Sequence, residues 1–123
     1  MKKNVRVILS EDAIKQYNEL NSIVSEEVKK GITNSIHQQL LRSINQKKDL
    51  LKINPQAGSH IPRPLIPTLY KQKYDVTNMW KIDLSNYWRM IYTLRTTEIE
   101  ITDFILDFLD HETYDKIFGY KKK

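Results

Sequence analysis

Lys81 and Arg89 are the residues of this sequence whose type and spacing could serve phosphate chemistry. They lie in segment 80–94, where large apolar and polar side chains alternate as in a β-hairpin. If residues 85–87 form a three-residue loop, we expect all of the large apolar side chains to share one side of the hairpin. The other side then carries Lys81, Asp83, Arg89 and Thr93. Cations held together on the open face of a sheet predict a site for a phosphate group.

Burial of the apolar face of the hairpin favours the register of a three-residue loop over that of a two-residue loop. A two-residue loop would place Arg89 opposite Ile82, on the apolar side, because a slip of one residue exchanges the two faces of a strand. The three-residue loop instead pairs Trp80 with Tyr92, Ile82 with Met90 and Leu84 with Trp88. Aromatic rings can stack on nucleic-acid bases, but we interpret these rings mainly as core, since their face must cover the helices.

Each candidate side chain also has an ordinary structural interpretation. Arg89 would lie opposite Asp83, where a cross-strand ion pair contributes roughly 0.2–1 kcal/mol. Lys81 could be a solvated strand residue. His111 suits proton transfer near neutral pH, but it could equally cap a helix near the end of the chain, and the ring of Tyr114 could simply be packed.

Positive charge is concentrated in the middle of the chain. The net charge is +5, from 20 basic and 15 acidic residues. Segment 55–95 holds six basic and two acidic side chains, whereas segment 96–115 holds seven acidic residues and no Lys or Arg. Besides Lys81 and Arg89, the basic residues of the middle section are Arg63, Lys71, Lys73 and Arg95. A cationic section favours a polyanion or an acidic protein as partner, so we predict that these four residues bind phosphate or RNA.

The first half of the chain predicts one strand followed by two helices. Residues 5–9 are β-branched and apolar, and Ser10 is a good N-cap for the helix that follows. We expect this helix to break or bend near residues 21–22. A second helix is expected over about 25–53, unless it starts after Gly31, because a glycine inside a helix costs about 1 kcal/mol relative to alanine.

The second half predicts a sheet built on the hairpin. Asn54-Pro55 ends the second helix, and three further prolines exclude regular structure up to about residue 69. Residues 70–76 are expected to form a short strand or an arm over the sheet. The hairpin then occupies 79–95, an apolar strand covers about 98–106, and a short helix covers 114–120.

This order of elements predicts an α+β fold. Two helices would pack on one face of a mainly antiparallel sheet of about four strands, with a short C-terminal helix. We expect a single domain over residues 1–123, with a basic tail at 120–123.

Several classes of protein are disfavoured by composition. Cysteine is absent and the three histidines lack metal-ligand spacing, so we expect neither a metal nor a cofactor. No apolar run approaches the roughly 18 residues of a membrane helix, and the Met-Lys-Lys start lacks the apolar segment of a signal peptide. We therefore predict a cytoplasmic protein.

The order and spacing of these features resemble a known family. They are a strand–helix–helix start, a helix ending at Asn54-Pro55 with Gly58 close behind, the hairpin strands 80–84 and 88–92, and an apolar strand running into 111–114. Over nearly its whole length the chain resembles the RelE/ParE superfamily of toxins from bacterial and archaeal toxin–antitoxin modules, and its RelE-like branch in particular.

The resemblance implies the toxin of a type II toxin–antitoxin module, a ribosome-dependent mRNA endonuclease (mRNA interferase) that cleaves the codon in the A site. The ribose 2′-hydroxyl attacks the adjacent phosphate, leaving a cyclic phosphate and a free 5′-hydroxyl. This reaction needs no metal if cations neutralise the phosphate and a donor protonates the leaving oxygen. The resemblance also implies a cognate acidic antitoxin, which would hold the toxin inactive in a hetero-oligomer.

The resemblance further implies roles for four residues. Lys81 matches a family lysine in the strand before the turn, and Arg89 matches the arginine of a Tyr-Arg segment. His111 or Tyr114 takes the place of a C-terminal acid/base or base-stacking group. We therefore predict that Arg89, Lys81, His111 and Tyr114 are catalytic.

Two positions depart from the family pattern. Asp83 stands where the family has a second lysine, and 110–112 is acidic and histidine-containing where the most active relatives have an arginine. These departures keep open a noncatalytic alternative, either a ParE-like gyrase inhibitor or an inactive RelE homologue. A stand-alone RNA- or ribosome-associated domain is the third possibility.

Overall fold

A mixed five-stranded sheet carries the predicted hairpin near its middle. The computed structural model describes residues 3–119, so the predicted basic tail at 120–123 lies outside it. The strands are β1 (Asn4–Leu9), β2 (Ser59–Ile61), β3 (Met79–Asp83), β4 (Arg89–Thr96) and β5 (Glu100–Leu109). Their order is β1-β5-β4-β3-β2, and β1 pairs with β5 in parallel while the other pairs are antiparallel. The predicted α+β class is confirmed, with five strands rather than about four.

The additional strand is β2, which lies at the edge of the sheet beside β3. It falls in the proline-rich section, which the sequence predicted to be irregular, and that prediction is wrong for these three residues. Pro62 follows the strand directly, and an edge position tolerates a proline there. Gly58 precedes it because a side chain would not fit: a Cβ atom at this position would lie 2.5 Å from the carbonyl oxygen of Lys81.

Two long helices pack on one face of the sheet. They are α1 (Glu11–Lys29) and α2 (Ile36–Ile53). Ser10 caps α1 as predicted, since its side chain accepts a hydrogen bond from the Ala13 amide at 3.0 Å. The predicted break near residues 21–22 is wrong, because α1 continues through it. The side-chain amide of Asn21 also donates to the Tyr17 carbonyl, one turn earlier, at 2.8 Å.

The start of the second helix follows the later of the two sequence alternatives. Gly31 adopts a φ of +75° in the connection after α1, outside either helix. Ser35 then caps α2 through a reciprocal capping box with Gln38. The helix therefore begins at the Ser35 capping box, and Gly31 lies in the turn that precedes it.

Two shorter helices lie in the second half of the chain. They are α3 (Thr68–Tyr74) and α4 (His111–Phe118). The prediction of a strand or an arm over 70–76 is wrong. Tyr70 and Tyr74, four residues apart on one helical face, both turn toward the sheet, where Tyr70 is 1% exposed and donates to Asp107 at 2.9 Å. A seven-residue helix is too short for periodicity to distinguish from a strand.

The hairpin register is as predicted. Trp80 lies opposite Tyr92, Ile82 opposite Met90, and Asp83 opposite Arg89. The Leu84 amide donates to the Trp88 carbonyl at 2.8 Å, which closes the turn over Ser85–Tyr87. Ile82, Leu84, Met90 and Tyr92 are buried against α1 and α2.

The opposite face of the hairpin is not open along its length, which corrects the sequence interpretation. Ile91 lies on that face and is fully buried in a second apolar cluster, to which α3 contributes Tyr70 and α4 contributes Tyr114. Thr93 is also buried, and its hydroxyl donates to the Asn78 carbonyl at 2.7 Å. The sheet is therefore covered on both sides, and Lys81, Asp83 and Arg89 lie where the second cover ends.

A buried acid lies under the helices. Asp103 is beside Val7 and Leu94 in the sheet register, and both of these pack against the α1–α2 cluster. It is fully buried, and neither carboxylate oxygen has a hydrogen-bond partner among the described residues. Burial raises the pKa of Asp103 to about 7.

We predict that Asp103→Asn removes part of the pH dependence of stability. In the folded chain the carboxyl keeps its proton up to about pH 7, whereas the unfolded chain loses it near pH 4. Between these values the folded state binds more protons, so the wild type loses stability as pH rises. Asparagine does not titrate. The free energy of unfolding of the variant should therefore rise relative to that of the wild type as the pH increases over this range.

Urea unfolding at several pH values measures this difference. Asp49→Asn is the control, because Asp49 has a side chain 78% exposed on α2 and should leave the difference flat. A pH-independent difference between Asp103→Asn and the wild type would show that the Asp103 pKa is ordinary.

Candidate functional site

Lys81 and Arg89 converge on the ring of Tyr114 at the edge of the second apolar cluster. The Nζ atom of Lys81 lies 5.3 Å from the ring centroid, and the Cζ atom of Arg89 lies 4.9 Å from it. Both distances are within the range of a cation–π contact. The hairpin supplies the two cations and α4 supplies the ring, so residues distant in sequence meet here.

The guanidinium of Arg89 is held by its own hairpin. Its Nη1 group donates to the Tyr87 carbonyl at 2.7 Å, and its Nε atom lies 3.5 Å from Oδ1 of Asp83. The Arg89 side chain is 18% exposed, whereas that of Asp83 is 78% exposed. The predicted cross-strand pair therefore forms, with the arginine mostly buried and the aspartate mostly in water.

The Nε–H donor of Arg89 is not satisfied by this pair. The atom is buried and has no hydrogen-bond partner among the described residues, because the Asp83 carboxylate is close enough for charge attraction but not aligned to accept. A buried charged donor without an acceptor is costly. An oxyanion that enters beside it would supply the missing acceptor.

His111 lies at the start of α4, near the ring of Tyr87. Its side chain is half exposed, with Nε2 at 3.3 Å from Oδ2 of Asp115, and its ring centroid is 6.2 Å from that of Tyr87. It does not cap the helix, which was the alternative interpretation. The cap is Asp110, whose carboxylate accepts from the Thr113 amide at 2.8 Å, and this hydrogen bond lowers the pKa of Asp110.

The ring of Tyr114 is packed inside the fold rather than exposed to solvent. Its side chain is 2% exposed, and its ring stacks on that of Phe118 at a centroid distance of 4.4 Å. Together with the two cations, this packing encloses the ring on several sides. In this arrangement the residue positions Lys81 and Arg89, and its ring is not available to a base from solvent.

Two of the four residues predicted to bind phosphate or RNA make their contacts elsewhere in the fold. Lys73 pairs with Asp12 at the start of α1, and this hydrogen bond lowers the pKa of Asp12. Arg95 lies over the Phe104 ring, 4.8 Å from its centroid, and donates to the Tyr74 carbonyl at 2.9 Å. Arg95 lies six positions after Arg89 in β4, a distance of roughly 20 Å.

The remaining two of the four are exposed on the proline-rich side of the sheet. Arg63 belongs to a short 3-10 helix, Arg63–Leu65, and Lys71 belongs to α3. The structure thus brings together Lys81, Arg89 and Tyr114, with His111 beside them. Lys73 and Arg95 instead contact residues outside this group.

Sequence reasoning missed Tyr87. The residue was assigned to the turn without a role, but it lines a cleft of about 390 Å³ together with Asp83, Leu84, Asn86 and Arg89. Its side chain is 76% exposed and its φ is +65°. The available signal was an aromatic residue directly before the Trp88-Arg89 pair, in a loop whose other members are small and polar.

This chain shares its fold with a solved toxin structure. The chain has the fold of the RelE/ParE superfamily toxins, which confirms the fold resemblance seen in the sequence. A solved structure with this fold is the YoeB/ParE toxin from Agrobacterium tumefaciens, with a TM-score of 0.53 and 13% sequence identity, covering 86% of this chain and 98% of that one. No family model and no curated protein matches the sequence. At this identity the likeness is one of fold.

The described residues contain neither a metal-binding cluster nor a membrane-spanning helix. Within 3–119, no group of three or more His, Asp or Glu side chains is arranged to hold a metal ion. In the same range no helix is long and apolar enough to cross a membrane.

The geometry of the Asp83–Arg89 pair yields a prediction. Asp83→Asn should increase the affinity for inorganic pyrophosphate about two- to fivefold at low salt, because it removes a competing carboxylate from Arg89. The gain should shrink as salt screens the charges. An NMR titration of the two proteins measures both effects, with Asp49→Asn as the matched control for a change in net charge. Equal affinities at every salt concentration would show that Asp83 does not restrain the guanidinium.

Proposed function

We propose that this chain is the toxin of a type II toxin–antitoxin module and that it cleaves mRNA at the ribosomal A site. The observation that carries the proposal is the buried Nε–H of Arg89, which has no acceptor among the described residues. Arg89 lines a cleft and shares the ring of Tyr114 with Lys81. The fold shared with a YoeB/ParE toxin supports the module to which we assign it.

The proposed reaction is a transesterification followed by release of the downstream RNA. The 2′-hydroxyl gives its proton to solvent water and forms a bond to phosphorus, the bond to the 5′ oxygen breaks, and that oxygen takes up a proton from the donor. Arg89 and Lys81 neutralise the charge that accumulates on the phosphate oxygens. We assign the proton donor for the leaving oxygen to His111, which is half exposed, in preference to the buried Tyr114.

Asp115 has a positioning role in this proposal. Its carboxylate lies one helical turn from His111 and 3.3 Å from Nε2. A carboxylate at that distance favours one orientation of the imidazole ring.

The partners follow from the same proposal. A positively charged site is held inactive by an acidic antitoxin that occupies it or its surroundings, in a toxin–antitoxin hetero-oligomer. The net charge of +5 supports a complementary acidic partner. Ribosomal RNA and mRNA are the polyanions on which the free toxin acts, which places it in the cytoplasm.

Cleavage of a ribosome-bound message tests the proposal. Mapping of new 5′ ends should show cuts within the A-site codon, with a 5′-hydroxyl on the downstream fragment. Arg89→Ala should lower the cleavage rate by roughly 10²–10³-fold, as expected for loss of one donor to a developing oxyanion. Arg89→Lys should recover part of the rate, because lysine restores the charge without the forked geometry.

Arg6→Ala is the matched control. Arg6 lies on β1 at the far edge of the sheet, in an exposed pair with Glu100 at 3.4 Å. The Arg6→Ala variant loses the same positive charge as Arg89→Ala, and it should cleave at the wild-type rate. An uncut message with the wild-type protein would remove the nuclease assignment, and full activity of Arg89→Ala would remove the site assignment.

A second candidate function is a noncatalytic toxin, either a ParE-like gyrase inhibitor or an inactive RelE homologue. The observation that favours it is Asp83, whose carboxylate reduces the positive potential around Arg89. Inhibition of gyrase supercoiling by a protein that leaves ribosome-bound message intact would support this alternative over cleavage.

A further inference from the structure

Tyr87 presents an aromatic ring to solvent at the mouth of the Arg89 cleft. Its side chain is 76% exposed, and within residues 3–119 no other Tyr, Trp or Phe falls in the exposed class. The rings of Trp80, Trp88 and Tyr92, which the sequence suggested as an alternative stacking surface, are partly or fully buried against α1 and α2. An exposed aromatic ring beside cations is a feature of sites that bind single-stranded nucleic acid.

The backbone at Tyr87 is in a conformation that tyrosine rarely adopts. Asn86 and Tyr87 have φ values of +55° and +65°. Asparagine tolerates the left-handed region, whereas a bulky side chain there is uncommon. Glycine or asparagine would satisfy this turn with less strain, so the turn alone does not account for a tyrosine.

The surrounding contacts hold the turn in place. The Ser85 amide donates to the hydroxyl of Ser43 on α2 at 3.1 Å, and the Trp88 amide donates to the Ser85 carbonyl at 3.2 Å. Asn86 adds a hydrogen bond to Gln39 at 3.3 Å. The ring of Tyr87 therefore projects from a turn that is fastened to α2 and to β4.

Tyr87 is also coupled directly to the phosphate-binding group. Its carbonyl accepts the Nη1–H of Arg89 at 2.7 Å, so the ring and the guanidinium keep a fixed relation. The ring of His111 lies 6.2 Å away at an angle of 56°. These two rings are too close and too tilted to admit a base between them, which leaves the solvent-facing side of Tyr87 for stacking.

We propose that Tyr87 stacks on a nucleobase of the RNA strand whose phosphate is bound by Arg89 and Lys81. This inference rests on the proposed function, because it takes that site to bind RNA. Stacking accepts any base, since every base has a π-face. Tyr87 thus sets the position of the strand relative to the cations, while the contact itself selects for a base over a bare sugar–phosphate.

Two uncleavable strands of equal charge test the proposal. One is 2′-O-methyl hexaadenylate, and the other is a six-unit abasic sugar–phosphate chain. Wild-type protein should bind the base-bearing strand about 5- to 100-fold more tightly, the range expected for stacking of one base. Tyr87→Phe should keep this preference, because the ring remains.

Tyr87→Ala and Tyr87→Gly should both lose the preference while binding the abasic strand as the wild type does. The glycine variant also relieves the left-handed backbone, so its thermal stability should equal or exceed that of the wild type. A loss of stacking in that variant then cannot come from unfolding. Ile99→Ala is the control, because Ile99 is 77% exposed in the β4–β5 turn, at the other end of β4 from Arg89.

The outcomes separate the two proposals. If the wild type binds both strands with a salt dependence that Arg89→Ala reduces, but Tyr87→Gly keeps the base preference, the stacking role is wrong and the RNA site stands. If the wild type binds neither strand, the RNA-binding function fails and the role of Tyr87 fails with it. If removal of the ring weakens binding of an acidic antitoxin but not of RNA, Tyr87 belongs to a protein interface, and the stacking role is again wrong.

Discussion

The register of the β3–β4 hairpin is the constraint on which the rest of the structure depends. With three residues in the turn, Ile82 and Met90 face α1 and α2, and Arg89 faces the other side of the sheet. A slip of one residue would bury the guanidinium beneath two helices and expose the aromatic residues, since side chains alternate along a strand. Burial of a whole apolar face therefore specifies where a single charged group lies.

The layer formed by α3 and α4 on the other face of the sheet determines the surroundings of Lys81 and Arg89. Because α3 and α4 bury Ile91 and Leu106, the cations lie at the boundary between an apolar cluster and solvent. Lys81 and Arg89 contact the ring of Tyr114, which restricts their motion and lowers the polarity around them. A cation at such a boundary attracts an anion more strongly than one on a fully solvated surface, because the local screening is weaker.

The same arrangement gives the basic residues of the middle section different surroundings. Lys73 neutralises Asp12, and Arg95 lies over Phe104, so both are engaged in contacts within the fold. Asp83 pairs with Arg89 but remains mostly exposed, which leaves the guanidinium partly restrained and partly available. The function of each basic residue depends on its neighbours across the sheet, and these are distant in sequence.

The sequence by itself determined the α+β class, the Ser10 cap and the hairpin register. These features depend on local periodicity and turn chemistry, which are set by residues near one another in the chain. It also identified Lys81 and Arg89 as neighbours on one face, because strand geometry alone places them there. The edge strand β2 and the helix α3 were not predictable in this way, since each is too short to show a period and is stabilised by its contacts with the sheet.

Only the tertiary structure decided which groups surround the cations. The packing of α4 buries Tyr114 beneath Lys81 and Arg89 and places His111 near the hairpin turn. It likewise leaves Tyr87 as the exposed ring at the cleft, although an aromatic residue in a loop directly before Trp88-Arg89 does not by itself show that its ring is exposed. Exposure and contact across elements depend on the packed arrangement of the whole chain, and no local pattern in the sequence encodes them.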